Sequence, residues 1–371
     1  MTDRTDPLCP YFGRCGGCSH QDQAYKDQLE SKTTILSEAI GTDDIQVFSG
    51  QPYHYRNRMD FAFHSQGLGL REKGAFDRFV DIEQCVISNS ELNSLLIEVR
   101  EFFKGVFYFD VRRRFGAFCY AVIRTPPGDS SISIVLNQKD KRLDRAVARI
   151  REYGEVTTAQ NLIVTYVPHN RNVSISDEYE VIKGSDMLSG EYLGRRLLFP
   201  VQGFFQVNQA MAAQVHTYIA ETVQKYETKK AHLLDLYGGV GAFAILNAPS
   251  FKGVTILENY EPAIRAAEQN IANNAVSNVE TLFREARHLA QVELPRPLFI
   301  VLDPPRSGIH PKTLKHLSQL DCDALLYVSC NPKHLKNDLS ELDRYQIKSA
   351  ALFDMFPQTP HMESVVELIP R

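Results

Sequence analysis

The 371-residue chain lacks any uninterrupted apolar run approaching the roughly 18 residues needed to cross a bilayer. Its first residues, Met1 to Pro10, are polar and acidic where a secretory leader would be basic and then greasy. A membrane-spanning or secreted protein is therefore not expected, and a cytoplasmic address is. Net positive charge is also missing: 41 Lys and Arg stand against 45 Asp and Glu, a formal charge of −4, so no global field advertises nucleic acid or an anionic membrane. Internal repeats and low-complexity segments are absent, which leaves neither a fibre nor a disordered tail. What is present, 43% hydrophobic and 23% charged residues, is ample for two packed domains.

The charge is unevenly spread. Residues 101–150 hold ten Lys and Arg against five Asp and Glu, including Arg112, Arg113, Arg114 and the cluster from Lys139 to Arg149. Such a patch suits a phosphate backbone as well as it suits a solvated face of a strand and helix.

Seven cysteines, an odd count in a reducing compartment, argue against a disulfide framework. Three fall in Cys9-Pro-Tyr-Phe-Gly-Arg-Cys15-Gly-Gly-Cys18, where glycines let a short loop turn successive sulfurs inward. Three thiolates leave a tetrahedral site one ligand short, and the next cysteine is Cys85. Four sulfurs suit zinc or an iron–sulfur centre. A close triplet with a distant fourth, rather than paired Cys-x2-Cys knuckles, leans to [4Fe–4S]. Cys119 and Cys322 read as structural residues.

The rhythm of the chain changes twice. Residues 21–40 repeat apolar positions at three and four, an amphipathic helix. From Val47 to about Phe199 short alternating runs separated by Pro, Gly, Asn and Asp predict a mainly antiparallel sheet, with a helix from Asn89 to Phe103. After Gln206 long helical stretches alternate with short apolar strands such as His232–Leu236, Gly253–Glu258, Leu298–Asp303 and Ala324–Ser329. That alternation predicts a doubly wound, largely parallel sheet. The expected organisation is an α+β domain over 1–198, opened by the cysteine loop, and an α/β, Rossmann-like domain over 199–371.

The second domain carries the chemistry. Its first strand runs into Asp235-Leu-Tyr-Gly-Gly-Val-Gly241, where glycines let a cofactor approach the strand's carboxyl end, and the second strand ends in Glu258, placed for ribose hydroxyls. The third glycine of a dinucleotide fingerprint is absent, and Asp235 before the turn suits a cationic cofactor, so S-adenosylmethionine and methyl transfer are favoured over hydride transfer. The third strand ends in Asp303-Pro-Pro-Arg306, a stiff loop aiming the Asp side chain into the cleft. The fourth ends in Val328-Ser-Cys330-Asn-Pro332, where the positive end of the following helix should lower the thiol pKa and make a nucleophile. His361-Met-Glu363 before the last strand offers a general base.

Together the Cys9/Cys15/Cys18/Cys85 array, Gly203-Phe-Phe-Gln206-Val-Asn208, Asp235-Leu-Tyr-Gly-Gly-Val-Gly, Asp303-Pro-Pro-Arg, Ser329-Cys-Asn-Pro and His361-Met-Glu363 resemble the RNA uracil-5 methyltransferases over nearly the whole chain. The resemblance implies a class I methyltransferase fold, a [4Fe–4S] cluster on the four cysteines, and S-adenosylmethionine contacts from Gln206, Tyr237, Glu258 and Asp303. It also implies that Cys330 is the nucleophile and Glu363 the base. Two departures stand out: Gly238 where the family usually carries Cys or Ser, a small-for-small change that should spare binding, and only eight residues before Cys9 where many relatives have a TRAM-type barrel. The second departure resembles the shorter rRNA-modifying branch and points to 23S rRNA, with tRNA the alternative. Monomer is the expected state. Phe204 and Phe205 could line a pocket for a flipped base or belong to the core, and Arg56 and Arg58 could meet phosphates. Two rival readings are a nitrogen-directed base methyltransferase, which would need neither Cys330 nor Glu363, and a non-catalytic iron–sulfur RNA-binding protein.

Overall fold

Where apolar side chains run unbroken for five or six residues in the second half of the chain, a strand forms that is buried along its whole length, as in Leu298–Leu302 and Ala324–Ser329. The structure, a computed structural model, describes residues 4–171 and 173–371. In chain order it contains α1 (Tyr25–Ile40), β1 (Gln46–Phe48), β2 (Arg58–His64), β3 (Gly67–Arg71), β4 (Phe79–Asp81), α2 (Ser90–Phe102), β5 (Phe118–Arg124), β6 (Ser131–Asn137), α3 (Leu143–Gly154), β7 (Asn161–Val167), β8 (Tyr179–Lys183), β9 (Met187–Tyr192) and β10 (Arg195–Pro200). There follow α4 (Gln209–Val223), β11 (His232–Leu236), α5 (Ala242–Asn247), β12 (Gly253–Glu258), α6 (Glu261–Asn273), β13 (Val279–Phe283), β14 (Leu298–Leu302), α7 (Pro311–Leu317), β15 (Ala324–Ser329), α8 (Pro332–Glu341), β16 (Tyr345–Phe353) and β17 (Glu363–Pro370). Among the described residues no helix is long and apolar enough to cross a membrane.

The chain forms two compact units, and it passes between them more than once. The first comprises the segment ending at Ala24, Gln51–Ser189 and Pro200–Gln209; the second comprises Tyr25–Gly50, Gly190–Phe199 and Ala210–Arg371. A single boundary at 198/199 therefore misplaces α1 and β1. They belong to the second unit because β1 pairs in parallel with β16, Gln46 opposite Ala351 and Phe48 opposite Phe353, and because Leu36 and Ile40 of α1 join that unit's core. A three-residue strand is too short to announce itself by periodicity.

In the first unit seven strands lie in the order β4-β3-β2-β5-β6-β7-β8. Neighbours are antiparallel except β6 and β7, which run parallel; α3 supplies the crossover that such a pair needs. Asn89 caps α2 by accepting a hydrogen bond from the Leu92 backbone N–H at 2.8 Å. Leu92, Leu95, Leu96 and Val99 then pack with Phe61, Phe63 and Ile123 of the sheet in one core.

The second unit is an eight-stranded sheet in the order β1-β16-β17-β15-β14-β11-β12-β13. The strands β11 to β15 are mutually parallel, and β17 runs antiparallel to both its neighbours. From β11 the chain moves first to β12 on one side and later to β14 on the other. The crevice beyond the carboxyl ends of β11 and β14 is thus a topological switch point, where open α/β sheets bind ligands.

Candidate active site

Four consecutive motifs reach that edge from four strands. After β11 comes the glycine turn, in which Tyr237 has φ 64°, Gly239 53° and Gly241 82°. A non-glycine residue held at positive φ is strained backbone of the kind that collects at ligand sites. Glu258 closes β12, and its carboxylate accepts hydrogen bonds from the backbone N–H groups of Gly239 at 3.0 Å, Asn259 at 2.7 Å and Tyr260 at 2.9 Å. Asp303 follows β14, its N–H donating to Leu236 O at 3.3 Å. Cys330 follows β15.

The fifth group arrives from the opposite direction. Because β17 is antiparallel, its first residue lies at the carboxyl end of β15: Ser329 is opposite Ser364, whose hydroxyl donates to Ser329 O at 3.1 Å. Glu363 is therefore carried to the neighbourhood of Cys330. Strand direction alone brings base and thiol together across 33 residues of sequence.

Burial and like charge dominate the electrostatics. Asp303 is half-buried, and its carboxyl is pushed up to about 7 by loss of water. The fully buried Asp235 is likewise pushed up to about 7, by burial first and by the charges of Asp303 and Glu258 in addition, although its Oδ2 accepts from the Ala244 N–H at 2.9 Å. Its Oδ1 is buried with no hydrogen-bond partner. Glu363 is raised well above the ordinary carboxylate range by burial and by Asp303, with Arg306 pulling the other way. Three acids that resist ionisation, two of them, Asp235 and Glu363, with an orphaned buried oxygen, suit a ligand that brings a positive charge.

Cys330 corrects one expectation. Its thiol is pushed up to about 11, by burial and by the charges of Glu363 and Asp303, with Arg306 opposing. The start of α8 does not make it a resting thiolate, because desolvation and two nearby acids outweigh the end of a ten-residue helix. Gly238 is closely packed: a Cβ there would lie 2.7 Å from Ile256 Cγ2 and 3.0 Å from Asp235 Cγ, so even a small side chain requires Ile256 to move.

Arg306 was not singled out by sequence reasoning, although it stands three residues after Asp303. It is the cation that eases ionisation of both Cys330 and Glu363. The Asn331 side chain caps α8, accepting from the Lys333 N–H at 3.2 Å, and its Nδ2 donates to Arg306 O at 3.1 Å, so one side chain ties the Cys330 loop to the Asp303 loop.

The remaining expected site residues lie in the first unit. Gln206 sits half-buried on the segment Pro200–Gln209, which is held in place by Arg124 donating to Gly203 O at 2.6 Å and Asn57 N–H donating to Val207 O at 2.9 Å. Phe205 is buried, whereas Phe204 is 73% exposed. Arg58 is committed to Asp60 through two hydrogen bonds of 3.0 and 3.2 Å, and Arg56 donates to Arg58 O at 2.8 Å.

Cys9, Cys15, Cys18 and Cys85 line one cavity of the first unit. Gly16 N–H donates to Arg71 O at 2.9 Å, which pins the loop to β3. Asn93 of α2 holds Cys85 by bonds to both its N–H at 2.8 Å and its carbonyl at 3.0 Å. Burial raises the Cys9 and Cys15 thiols and pushes Cys18 up to about 12, with the charges of neighbouring thiols adding in each case. Among the described residues no group of three or more His, Cys, Asp or Glu is placed to hold a metal ion.

Comparison with known proteins supplies the family. The family model described as tRNA (Uracil-5-)-methyltransferase matches residues 24–371. An uncharacterised RNA methyltransferase of Clostridium tetani is 31% identical, with 98% of this chain and 84% of that protein covered. The tRNA (uracil(54)-C(5))-methyltransferase of Pyrococcus horikoshii is 30% identical, with 99% and 86% covered. Among solved structures, the Pyrococcus abyssi tRNA (uracil-54, C5)-methyltransferase in complex with S-adenosyl-L-homocysteine superposes with a TM-score of 0.79 at 25% identity, covering 96% of this chain and 86% of that one. The α/β methyltransferase fold of the second unit and the match across almost the whole chain lead to one conclusion: this protein belongs to the RNA uracil-5 methyltransferase family, S-adenosylmethionine-dependent enzymes.

Proposed function

We propose that the protein methylates carbon 5 of a uridine in RNA through a covalent adduct on Cys330, with Glu363 as the base. The observation that carries this reading is the meeting of Cys330, Glu363 and Asp303 at the switch-point edge, where Ser364 next to Glu363 pairs with Ser329 next to Cys330 and where Glu363 and Asp303 both raise the thiol and Asp303 raises Glu363. S-adenosylmethionine would supply an electrophilic methyl group on a sulfonium. The residues present fit it: the glycine turn leaves no side chain in the way, Glu258 would accept from ribose hydroxyls, and the buried Asp235 and half-buried Asp303 would offer acids to a cation. Tyr237 and Gln206 are proposed as further contacts.

Carbon 5 of uracil is a weak nucleophile, so Cys330 must first make it electron-rich. The Cys330 thiol gives up its proton to water, its Sγ lone pair forms a bond to carbon 6, and the electrons of the 5,6 double bond move into an enolate on the carbon 4 oxygen. After carbon 5 has taken the methyl group, Glu363 removes its remaining proton, the double bond re-forms and the sulfur leaves. A buried carboxylate with a raised pKa is a strong base and is favoured as the neutral acid it becomes. Arg306 steadies Cys330 and Glu363 in their charged forms.

The four cysteines are proposed to hold a [4Fe–4S] cluster. Four soft ligands lining one cavity, a close triplet with a distant fourth in sequence, support a polynuclear centre over zinc. The cluster would organise the loop and β3 rather than supply electrons, which methyl transfer does not need. Anaerobic reconstitution should give iron and sulfide near four each per chain with a broad visible absorbance, lost in Cys85→Ala.

For the RNA, the relatives with named substrates act on uracil-54 of tRNA, which supports tRNA as the substrate. A tritiated-methyl assay on total RNA lacking 5-methyluridine, followed by size fractionation, tests the whole reading. Label in 5-methyluridine of tRNA is expected; label in 23S rRNA would keep the chemistry and replace the substrate. No labelled 5-methyluridine from protein that binds S-adenosylmethionine would overturn the proposal. Retained turnover in Cys330→Ala would overturn the mechanism.

A further inference from the structure

We propose that the turn between α2 and β5, together with the loop entering α3, is a docking surface for the substrate RNA, an inference that rests on the RNA-methylating reading above. The basic stretch noted in the sequence is built here into one rigid platform. Asp110 and Phe115 pair their backbones across the turn. Gly116 follows at φ 120°, where a Cβ would fall 1.9 Å from Tyr108 O, so the turn closes only on glycine. The second loop grips it: Gly116 N–H donates to Asp140 Oδ2 at 3.2 Å, and Asn137 Nδ2 donates to Gly116 O at 3.0 Å. The Arg142 guanidinium then lies 3.8 Å from the centre of the Phe107 ring and 5.2 Å from that of Phe115, the two rings meeting edge to face at 5.0 Å.

This construction brings Arg112, Arg113 and Arg114 of the turn alongside Lys139, Lys141 and Arg145. Asp144 in the first turn of α3 is exposed beside them, whereas the other acids that answer them are spent or hidden. Arg112 pairs with Asp77 and Arg113 with Asp110, while Asp140 lies beneath the surface with its side chain 1% exposed. Arg114, Lys139, Lys141 and Arg145 are exposed, and none forms an ion pair within the described residues. Phe107 and Phe115 are themselves 39% and 48% exposed, so aromatic surface is interleaved with unpaired cations.

That combination selects the partner. Cations spaced over a rigid surface neutralise a phosphate backbone, and exposed aromatic edges beside a stacked arginine accept unstacked bases. An anionic bilayer would need the charge but not the fixed aromatic geometry. The same residues at a protein interface would call for acidic partners of matching pattern.

The test is fluorescence anisotropy of the full-length protein with the RNA that it methylates, across a series of salt concentrations. Lys139→Ala/Lys141→Ala/Arg145→Ala should weaken binding about 10- to 100-fold at moderate salt and reduce the slope of log K against log salt by about 2 to 3, roughly one for each phosphate contact removed. Phe115→Ala should weaken binding about 5-fold or more with the salt slope kept. In turnover the triple variant should raise KM for RNA and leave kcat and cofactor affinity unchanged. Arg145→Glu alone, an exposed change on α3, keeps the test open should the triple variant melt early. Unchanged affinity and slope in variants of a protein that methylates RNA would overturn this surface alone. So would preferential loss of binding to phosphatidylserine vesicles. RNA binding without any methyl transfer in the wild type would instead overturn the functional reading.

Discussion

Replacing Asp354 by Asn should cost the second unit far more than an ordinary polar substitution. Lys32 of α1 places its ammonium 2.5 Å from Asp354 Oδ1 just beyond β16, with side chains 1% and 0% exposed, and it also donates to Phe356 O at 3.2 Å. Beside it Gln28 and Gln358 exchange two hydrogen bonds of 3.0 Å, one of them donated by the Gln358 backbone N–H to Gln28 Oε1. Together they clamp the loop that leads to Glu363 against α1. Losing the carboxylate charge leaves a buried ammonium with no counter-charge, a change worth about 3–5 kcal/mol, or a fall in Tm of about 6–20 °C for a unit of this size. Burial already lowers the Lys32 pKa against the pull of Asp354, so the variant's ammonium should titrate lower still. Its unfolded chain then binds the extra proton, and the variant should regain stability as pH rises from 7 toward 10. Urea unfolding at both pH values measures this. A loss below about 1 kcal/mol at pH 7, or no recovery at high pH, would refute the reasoning, whereas Lys32→Met/Asp354→Leu should lie close to wild type.

Three further outcomes follow from the site. Folded-state pKa values of about 7 for Asp235 and Asp303 mean that the folded protein holds extra protons between about pH 4 and 7, so their contribution to stability falls as pH rises through that window. A sulfonium entering the site should drive those protons off, and calorimetry in buffers of different ionisation enthalpy should show proton release with S-adenosylmethionine near pH 6.5 and less with S-adenosylhomocysteine, whose thioether sulfur carries no charge. Gly238→Ala should cost about 1–3 kcal/mol by overpacking against Ile256 and weaken cofactor binding, both visible in melts with and without ligand. Glu363→Gln should lower turnover about 10²- to 10⁴-fold while a protein–RNA adduct accumulates on ordinary uridine RNA, seen as a shifted band on a denaturing gel.

Much of the second unit was legible because buried parallel strands are written as unbroken apolar runs. His232–Leu236, Gly253–Glu258 and Ala324–Ser329 have the bounds that the pattern predicts. The strand β13 was not, since Val-Glu-Thr-Leu-Phe at the sheet edge is half-exposed and mixes polar with apolar residues. Nor was β16, which after a buried Tyr345 alternates exposed and half-buried positions before ending in a buried Ala-Ala-Leu-Phe. The motif residues could be named from the sequence, but not their mutual influence. The Cys330 pKa was misjudged in direction because the helix behind it is visible in the sequence, while Glu363 reaches it only through the antiparallel register of β17. Arg306 was passed over for the same reason, its effect lying in space and not in spacing.

The central claim is that Cys330 bonds to carbon 6 of the target uracil during methyl transfer. The most direct measurement is mass spectrometry of the protein incubated with S-adenosylmethionine and substrate RNA carrying 5-fluorouridine, whose fluorine at carbon 5 cannot be removed as a proton is, so that the sulfur cannot leave. The account predicts a stable methylated adduct mapped to Cys330 and absent from Cys330→Ala. Formation of 5-methyluridine in unsubstituted RNA by that same Cys330→Ala protein would contradict it.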